Sequence, residues 1–384
     1  MSKLIPKKII THQLKKYPNN RTSGFKYEGK RYWLKQTESS SIVKYLLMMD
    51  SSANLKNGFS DFEDLSYIFL NFKSKLDQLN KSSYTVAVSG GPDSLALVAL
   101  VKAYSFTKKI KIRYVLVDHN IRKNSAQEAK QVKNLLKKNS INLTTVLNKK
   151  KITNNIQSSA RKIRYEILSN YCKRNKINTL LTAHNLEDQV ETFLIRLSRG
   201  SGLRGLSSMS SLSKINNNIN LYRPLLDVKK IFLIKIAKIV YGKYIKDPSN
   251  IDSKYLRTRV RDLKKPLEKS GIEYEQIIKS INNLSLSKDT LDIYFKKIFK
   301  DLIKKKGKEI LINLKQFKAH NKEIKIAIIH DSIKRLKKNY YNSRSKKVEN
   351  LIKNIEKSSF KKSMLGGCIF ILNKGYLCLK VEKT

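Results

Sequence analysis

The chain has 384 residues, of which 40% are hydrophobic and 29% are charged. This apolar content can bury real cores and excludes wholesale disorder, while the length exceeds one ordinary core and indicates two or three domains. Lysine and arginine total 80 against 30 acidic residues, a formal charge of +50 that favours nucleic acid as a partner over an anionic membrane.

Part of this basic excess has an alternative origin, because Lys, Asn and Ile are all frequent, as an A/T-rich coding sequence would impose. The chain has three cysteines, Cys172, Cys368 and Cys378, and none of them forms a C-x-x-C pair. A zinc site, an iron–sulfur cluster or a disulfide framework is therefore not expected. No apolar run reaches the roughly 20 residues of a membrane span. We expect no membrane association and a cytoplasmic location, although the basic N-terminus leaves an organellar matrix or stroma open.

The predicted elements begin after an irregular, basic N-terminal extension, residues 1–58. Apolar residues at helical spacing predict a helix over residues 61–80. Four short apolar segments then predict strands at 84–89, 112–118, 143–147 and 179–184, and longer helical patterns follow them at 93–105, 124–138, 155–175 and 186–197. This alternation indicates a parallel sheet covered on both faces, with a ligand at the carboxyl ends of the strands.

The second half of the chain predicts a strand over residues 218–226 and then a helix capped by Asp227. Residues 253–305 predict mainly helix. From residue 306 to 384 the pattern changes to strands and helices and ends in a hairpin that turns at Asn373–Gly375.

The strongest motif lies between the first predicted strand and its helix, in the segment T-V-A-V-S-G-G-P-D-S. Its predicted nucleotide-binding residues are Ser89, Gly90, Gly91, Pro92, Asp93 and Ser94. The glycines permit a tight turn, the helix N-terminus presents amides to an anion, and the serine hydroxyls can donate further hydrogen bonds. A carboxylate repels phosphate, so Asp93 indicates a bridging Mg²⁺. The segment lacks the lysine of the Walker P-loop. The alternative is an ordinary Gly-Gly turn before a capped helix.

The S-G-G-P-D-S segment resembles the PP-loop of the ATP pyrophosphatase superfamily. Further motifs closely resemble the tRNA(Ile)-lysidine synthetase family: V-D-H-N-I-R at 117–122, S-S-A-R-K-I-R-Y-E-I-L at 158–168, the segment T-A-H to L-R-G-L at 182–206, and R-P-L-L at 223–226. The resemblance implies an α/β fold with a parallel-sheet PP-loop domain of the adenine nucleotide α-hydrolase-like type, at 59–230. A mostly helical tRNA-contacting domain at 231–305 and a small α+β RNA-binding domain at 306–384 would follow.

The resemblance also implies an activity. The family uses ATP and Mg²⁺ to adenylate the 2-carbonyl oxygen of the wobble cytidine in an isoleucine tRNA with a CAU anticodon. The ε-amine of L-lysine then displaces AMP. Such chemistry needs positioning and charge neutralisation rather than an enzyme nucleophile.

Site residues carry over from the family motifs position by position. Asp93 would hold Mg²⁺, and Arg161 and Arg164, three residues apart on one helix, would neutralise phosphate or contact RNA. His184 would contact the nucleotide or the attacked base, and Asp188 would receive the lysine ammonium or a second metal. The family commonly has two aspartates where this chain has Glu187-Asp188, which leaves the role of Glu187 open.

The remaining candidates lie at strand ends and beyond the sheet. Asp118 and His119 would flank the adenosine, with strand-end capping as the alternative. Arg204, Arg257 and Arg261 would contact tRNA or phosphate, with a solvated helix face as the alternative. The glycine-rich segment 198–205 would close over the site or simply end a helix.

Two competing functions remain open at this point. A tRNA thiolase of the same superfamily would need suitably placed cysteines, and a non-catalytic RNA-binding protein would release no pyrophosphate. The sequence does not determine the oligomeric state, and a homodimer is compatible with it.

Overall fold

The computed structural model describes residues 22–27, 30–35, 60–121, 124–150, 156–216, 218–245, 254, 256–337, 343 and 345–382. The chain forms two compact units, Met1–Asn282 and Asn283–Thr384. The four-part division that we predicted is finer and stays a prediction. None of the described helices combines the length and the apolar character that a bilayer span requires.

Two strands, β1 (Thr22–Tyr27) and β2 (Lys30–Lys35), pair antiparallel near the N-terminus. The prediction that residues 1–58 are irregular is wrong for these two segments. Aromatic residues favour strands, but the surrounding Lys, Asn and Ser residues do not alternate with apolar residues, so no strand was predicted here.

The first unit contains a six-stranded sheet of order β5-β4-β3-β6-β8-β7. Its strands are β3 (Ser83–Val88), β4 (Lys111–Asp118), β5 (Leu143–Leu147), β6 (Thr179–Leu181), β7 (Leu212–Asn216) and β8 (Ile219–Tyr222). All neighbouring pairs are parallel except the edge pair β7–β8. The sheet confirms the predicted fold class, and it brings the carboxyl ends of β3, β4, β6 and β8 to one edge.

The helices of this unit follow the strands in the predicted alternation. They are α1 (Ser60–Leu79), α2 (Pro92–Thr107), α3 (Ser125–Lys137), α4 (Ile156–Arg174), α5 (Leu186–Leu197), α6 (Leu203–Leu206), α7 (Lys230–Tyr241), α8 (Leu256–Asp262), α9 (Lys264–Lys269) and α10 (Tyr274–Leu302). The boundary between the two units falls within α10.

Alternate strand residues build cores on the two faces of the sheet. On β4, Tyr114 and Leu116 join the larger core with α1, α2, α3 and α7, whereas Val115 joins a smaller core with α4. Helix α2 is apolar on all of its sides and is accordingly buried on nearly all of them. The helices therefore cover both faces and leave the strand ends to carry the polar chemistry.

Three local predictions differ from the structure. Strand β7 was not predicted, and β6 ends at Leu181 rather than at the predicted residue 184, so that residues 182–185 form an irregular connection to α5. Asp227 does not cap α7, whose N-cap residue is Lys229. Asp227 instead accepts a 2.6 Å hydrogen bond from Lys75, which ties α1 to the segment after β8.

The second unit contains an antiparallel sheet of order β11-β12-β13-β10-β9. Its elements are β9 (Ile303–Lys306), β10 (Glu309–Asn313), α11 (Leu314–Ala319), α12 (Lys322–Leu336), α13 (Ser345–Glu356), β11 (Lys362–Leu365), β12 (Cys368–Asn373) and β13 (Tyr376–Val381). Its own core includes Phe317, Ile328 and Phe370. The predicted hairpin at 373–375 joins β12 and β13, and the edge strand β9 exposes three consecutive lysines.

Candidate active site

The turn between β3 and α2 is built around Gly90. This residue has a φ of +84°, and a Cβ added to it would lie 2.5 Å from the Val132 side chain on α3. Its carbonyl oxygen accepts a 3.0 Å hydrogen bond from the amide of Ile245. Both the backbone conformation and the close packing therefore require glycine here.

The Ser94 hydroxyl organises this turn from inside. It accepts hydrogen bonds from the Ser89 amide, the Ser89 hydroxyl and the Gly90 amide, each at 3.1 Å, and donates to the Gly91 carbonyl at 3.0 Å. Its single proton is thus used within the loop, contrary to our expectation that this hydroxyl donates to a ligand. The amides of Gly91, Asp93 and Ser94 have no acceptor in the described part of the chain, and the N-terminus of α2 offers them to an anion.

Asp93 follows this turn and carries a buried carboxylate oxygen, Oδ1, without a hydrogen-bond partner. Burial raises the pKa of Asp93 to about 6; the charge of Lys230 opposes this shift, and those of Asp188 and Glu187 reinforce it. Among the described residues, no group of three or more His, Cys, Asp or Glu could hold a metal by itself. Mg²⁺ is commonly bound by one or two carboxylates together with substrate phosphates. The unpartnered oxygen therefore fits the predicted magnesium site.

His184 lies three residues beyond the end of β6. Its Nδ1 is 2.9 Å from the Thr182 hydroxyl, and its Nε2 is 3.4 Å from the Arg161 guanidinium. Burial lowers the pKa of His184 to about 3, although Asp188 opposes this shift. The imidazole is therefore neutral. Since arginine can only donate, Nε2 accepts and Nδ1 donates to Thr182.

Arg161 and Arg164 both lie over the ring of Tyr165 on α4, at 5.2 and 5.7 Å from its centroid. Burial lowers the pKa of Arg164, as does the charge of Arg161. Burial and Arg164 also lower the pKa of His119, whose Nδ1 is buried without a partner. Asp118, in contrast, accepts a 2.9 Å hydrogen bond from the Asn120 amide. The described contact of Asp118 is thus the strand-end capping that we considered as its alternative role.

Asp188 and Glu187 lie in the first turn of α5. Asp188 forms a capping box with Asn185, in which each side chain accepts a hydrogen bond from the other residue's amide, at 3.0 and 3.2 Å. Its second oxygen lies 3.3 Å from Arg257. Glu187 accepts a 2.9 Å hydrogen bond from the Lys230 amide at the start of α7. Both carboxylates therefore hold helix ends together beside the site.

Comparisons with known proteins identify relatives of this chain. The model of the PP-loop domain family matches residues 66–267. A tRNA(Ile)-lysidine synthase of Wolbachia pipientis is 35% identical over 288 residues, which cover 74% of this chain and 67% of that protein. The enzyme of the same name from Rickettsia akari is 32% identical, over 78% of this chain and 69% of its own length. That of Orientia tsutsugamushi is 44% identical, over 47% of this chain and 41% of its own length.

The chain belongs to the tRNA(Ile)-lysidine synthase family. This membership confirms the family predicted from the sequence, and with it an enzyme built on an ATP-binding PP-loop domain. Among solved structures, the U34-tRNA thiolase of Methanococcus maripaludis superposes with a TM-score of 0.51 at 21% identity, covering 60% of this chain and 81% of that one. At this identity the likeness shows the fold alone.

Sequence reasoning missed Glu191, a buried carboxylate on α5. Its oxygens bind Arg257 Nε at 2.7 Å and Arg261 Nε at 2.5 Å. Arg257 and Arg261, which we predicted to contact tRNA or phosphate, thus hold α8 against α5. The spacing of Asp188 and Glu191 places this pair on one face of α5, and that of Arg257 and Arg261 places the other pair on one face of α8. No sequence pattern within either helix showed that these two faces pack against each other.

Asp188 influences the pKa of Asp93, of Arg164 and of His184, and Arg161 contacts His184 directly, so these five predicted site residues lie near one another. Arg204 is instead exposed on α6. The end of the glycine-rich segment 198–205 is tied to α5, because the Arg196 guanidinium donates to the carbonyls of Gly205 and Ser208 at 2.7 and 2.9 Å.

Proposed function

We propose that the chain ligates L-lysine to the wobble cytidine of the isoleucine tRNA with a CAU anticodon. The 2-carbonyl oxygen of the cytidine attacks the α-phosphorus of ATP, and the bond to the β-phosphate breaks to release pyrophosphate. The lysine ε-amine then attacks carbon 2 of the base, the carbon–oxygen bond to AMP breaks, and the amine loses a proton. The support is membership of a family whose curated members are named for this product.

The observation that carries the proposal is the unpartnered Asp93 carboxylate oxygen beside the open amides of α2. Asp93 would hold Mg²⁺ there, and the metal would neutralise charge on the pyrophosphate. Arg161 and Arg164 have no carboxylate hydrogen bonded to them in the described part of the chain and would balance charge on the α-phosphate. Neutral His184 adds no positive charge here, and its two ring nitrogens contact Arg161 and Thr182.

Asp188 is the candidate for the lysine ammonium or a second metal. Its side chain is 18% exposed, and its 3.3 Å contact with Arg257 is long for an ion pair. Thiolation has no comparable support, because Cys172 and Cys368 are buried and Cys378 lies within β13. The cytoplasmic location and a homodimer stay predictions.

The test is incubation with ATP, labelled lysine and transcripts of the isoleucine tRNA, with a CAU-anticodon methionine tRNA as comparison. We expect lysine incorporation and AMP only with the isoleucine transcript. Asp93→Asn should abolish lysine-dependent AMP formation and leave tRNA affinity nearly unchanged. Asp289→Asn, at a carboxylate that is 64% exposed, is the matched control. AMP formation that proceeds without lysine incorporation, or an equal loss of tRNA binding in Asp93→Asn, would contradict the assignment.

A further inference from the structure

Arg223 is a buried cation that takes no part in the proposed lysine transfer. It follows β8 directly and is only 8% exposed. Its Nη1 donates to the Ser210 carbonyl at 2.7 Å and to the Ser213 hydroxyl at 3.0 Å. Its Nε is buried without a partner. The described contacts of this guanidinium are therefore with neutral groups.

The position of Arg223 follows from the pairing of β6 and β8. These strands are parallel neighbours that place Leu181 opposite Tyr222, and the Thr182 amide donates to the Tyr222 carbonyl at 3.0 Å. The ends that lead to His184 and to Arg223 thus lie side by side. Arg161 contacts His184 at this same edge.

Tyr165 carries a second unsatisfied polar atom in this region. Its hydroxyl is buried without a hydrogen-bond partner, and its ring lies beneath the guanidinium groups of Arg161 and Arg164. Burial lowers the pKa of Arg223, as do the charges of Arg161 and Arg196, whereas Tyr165 acts in the opposite direction. Arg223, Arg161 and Tyr165 are therefore electrostatic neighbours.

A buried cation without a counterion is costly, and a buried donor without an acceptor adds to that cost. A lone neutral ligand would satisfy the donors and leave the positive charges uncompensated. A phosphate group would do both, because its several oxygens accept hydrogen bonds while its charge offsets that of the guanidinium groups.

We propose that Arg223 and Tyr165, together with Arg161, form an anion subsite that binds a phosphate group at the ends of β6 and β8. The subsite lies at the ends of β6 and β8, whereas the glycine turn follows β3, so the two belong to different strand ends. The inference deepens the proposed function, since the phosphate would belong either to ATP or to the tRNA backbone beside the target base.

The experiment measures equilibrium binding in two separate arms, ATP without RNA and the isoleucine tRNA transcript without ATP. Arg223→Gln should weaken one of them about ten- to hundredfold, the loss expected for a charge-assisted hydrogen bond. Loss for ATP identifies a nucleotide phosphate, and loss for tRNA with a shallower salt dependence identifies an RNA phosphate. Arg174→Gln, at an exposed arginine near the end of α4, should change neither affinity.

A purely structural Arg223 would give a different result. We expect the thermal midpoint of the ligand-free Arg223→Gln protein to stay the same or rise, because an uncompensated buried charge is removed. Tyr165→Phe removes only the hydroxyl and should weaken the same arm several-fold, which keeps the test valid if Arg223→Gln does not fold. Unchanged affinity for both ligands, in whichever of the two variants folds, would overturn the subsite. Neither readout uses lysine, so failure of the proposed lysine transfer is scored separately.

Discussion

Replacing Glu191 with glutamine should destabilise the first unit, because this carboxylate is the common partner of two arginines. The side chain of Glu191 is 4% exposed, whereas those of Arg257 and Arg261 are 33% and 29% exposed. Removing one partner of a buried ion pair typically costs about 3–5 kcal/mol. Since both arginines retain access to water, we expect a loss of about 2–4 kcal/mol.

Urea unfolding followed by circular dichroism at neutral pH measures this loss. The matched control is Glu268→Gln, which removes an exposed ion pair with Lys264 in which both side chains are 45% exposed, so its effect should stay within about 0.5 kcal/mol. A cycle that combines Glu191→Gln with Arg261→Gln should show non-additivity of about 1 kcal/mol or more. Equal small losses for Glu191 and Glu268, or strict additivity, would refute the claim that these arginines hold α8 in place.

Three further outcomes are expected. Ser94→Ala should raise the KM for ATP about tenfold without loss of helix content, because three donors lose their common acceptor; an unchanged KM would count against this role. The folded pKa of His184 is about 3, below the ordinary value of 6.5, so the unfolded chain binds more protons between these values. Stability should therefore fall as pH drops from about 6.5 towards 3, and His184→Gln should flatten that fall in urea midpoints; an identical slope would contradict it. Replacing the exposed Lys304, Lys305 and Lys306 by glutamine should make tRNA binding less dependent on salt, lowering the slope of log binding constant against log salt concentration by up to about one per lysine that contacts phosphate. An unchanged slope would mean that these lysines do not contact tRNA.

Much of the fold was predictable because it depends on local patterns. Short apolar segments alternating with helical periodicity indicated the parallel sheet, and the structure confirms it. The elements that were missed or misplaced lack such a pattern. Strand β7 is half exposed and forms only against β8, and Asp227 is a reasonable helix cap that pairs with Lys75, 152 residues away along the chain.

The glycine turn, the helix that follows it and the polar residues at the strand ends could be predicted from the amino-acid sequence, because turn geometry and periodicity act between near neighbours. Which charges are neutralised could not be predicted, because it depends on contacts between distant segments. Arg257 and Arg261, predicted to contact tRNA or phosphate, pair with Glu191, which is 66 and 70 residues away along the chain. Arg223, to which the sequence analysis gave no role, is buried without a carboxylate partner among its described contacts. The reason is physical: the charge state and the partners of a buried group depend on the elements that pack around it, and their packing is set by the whole core.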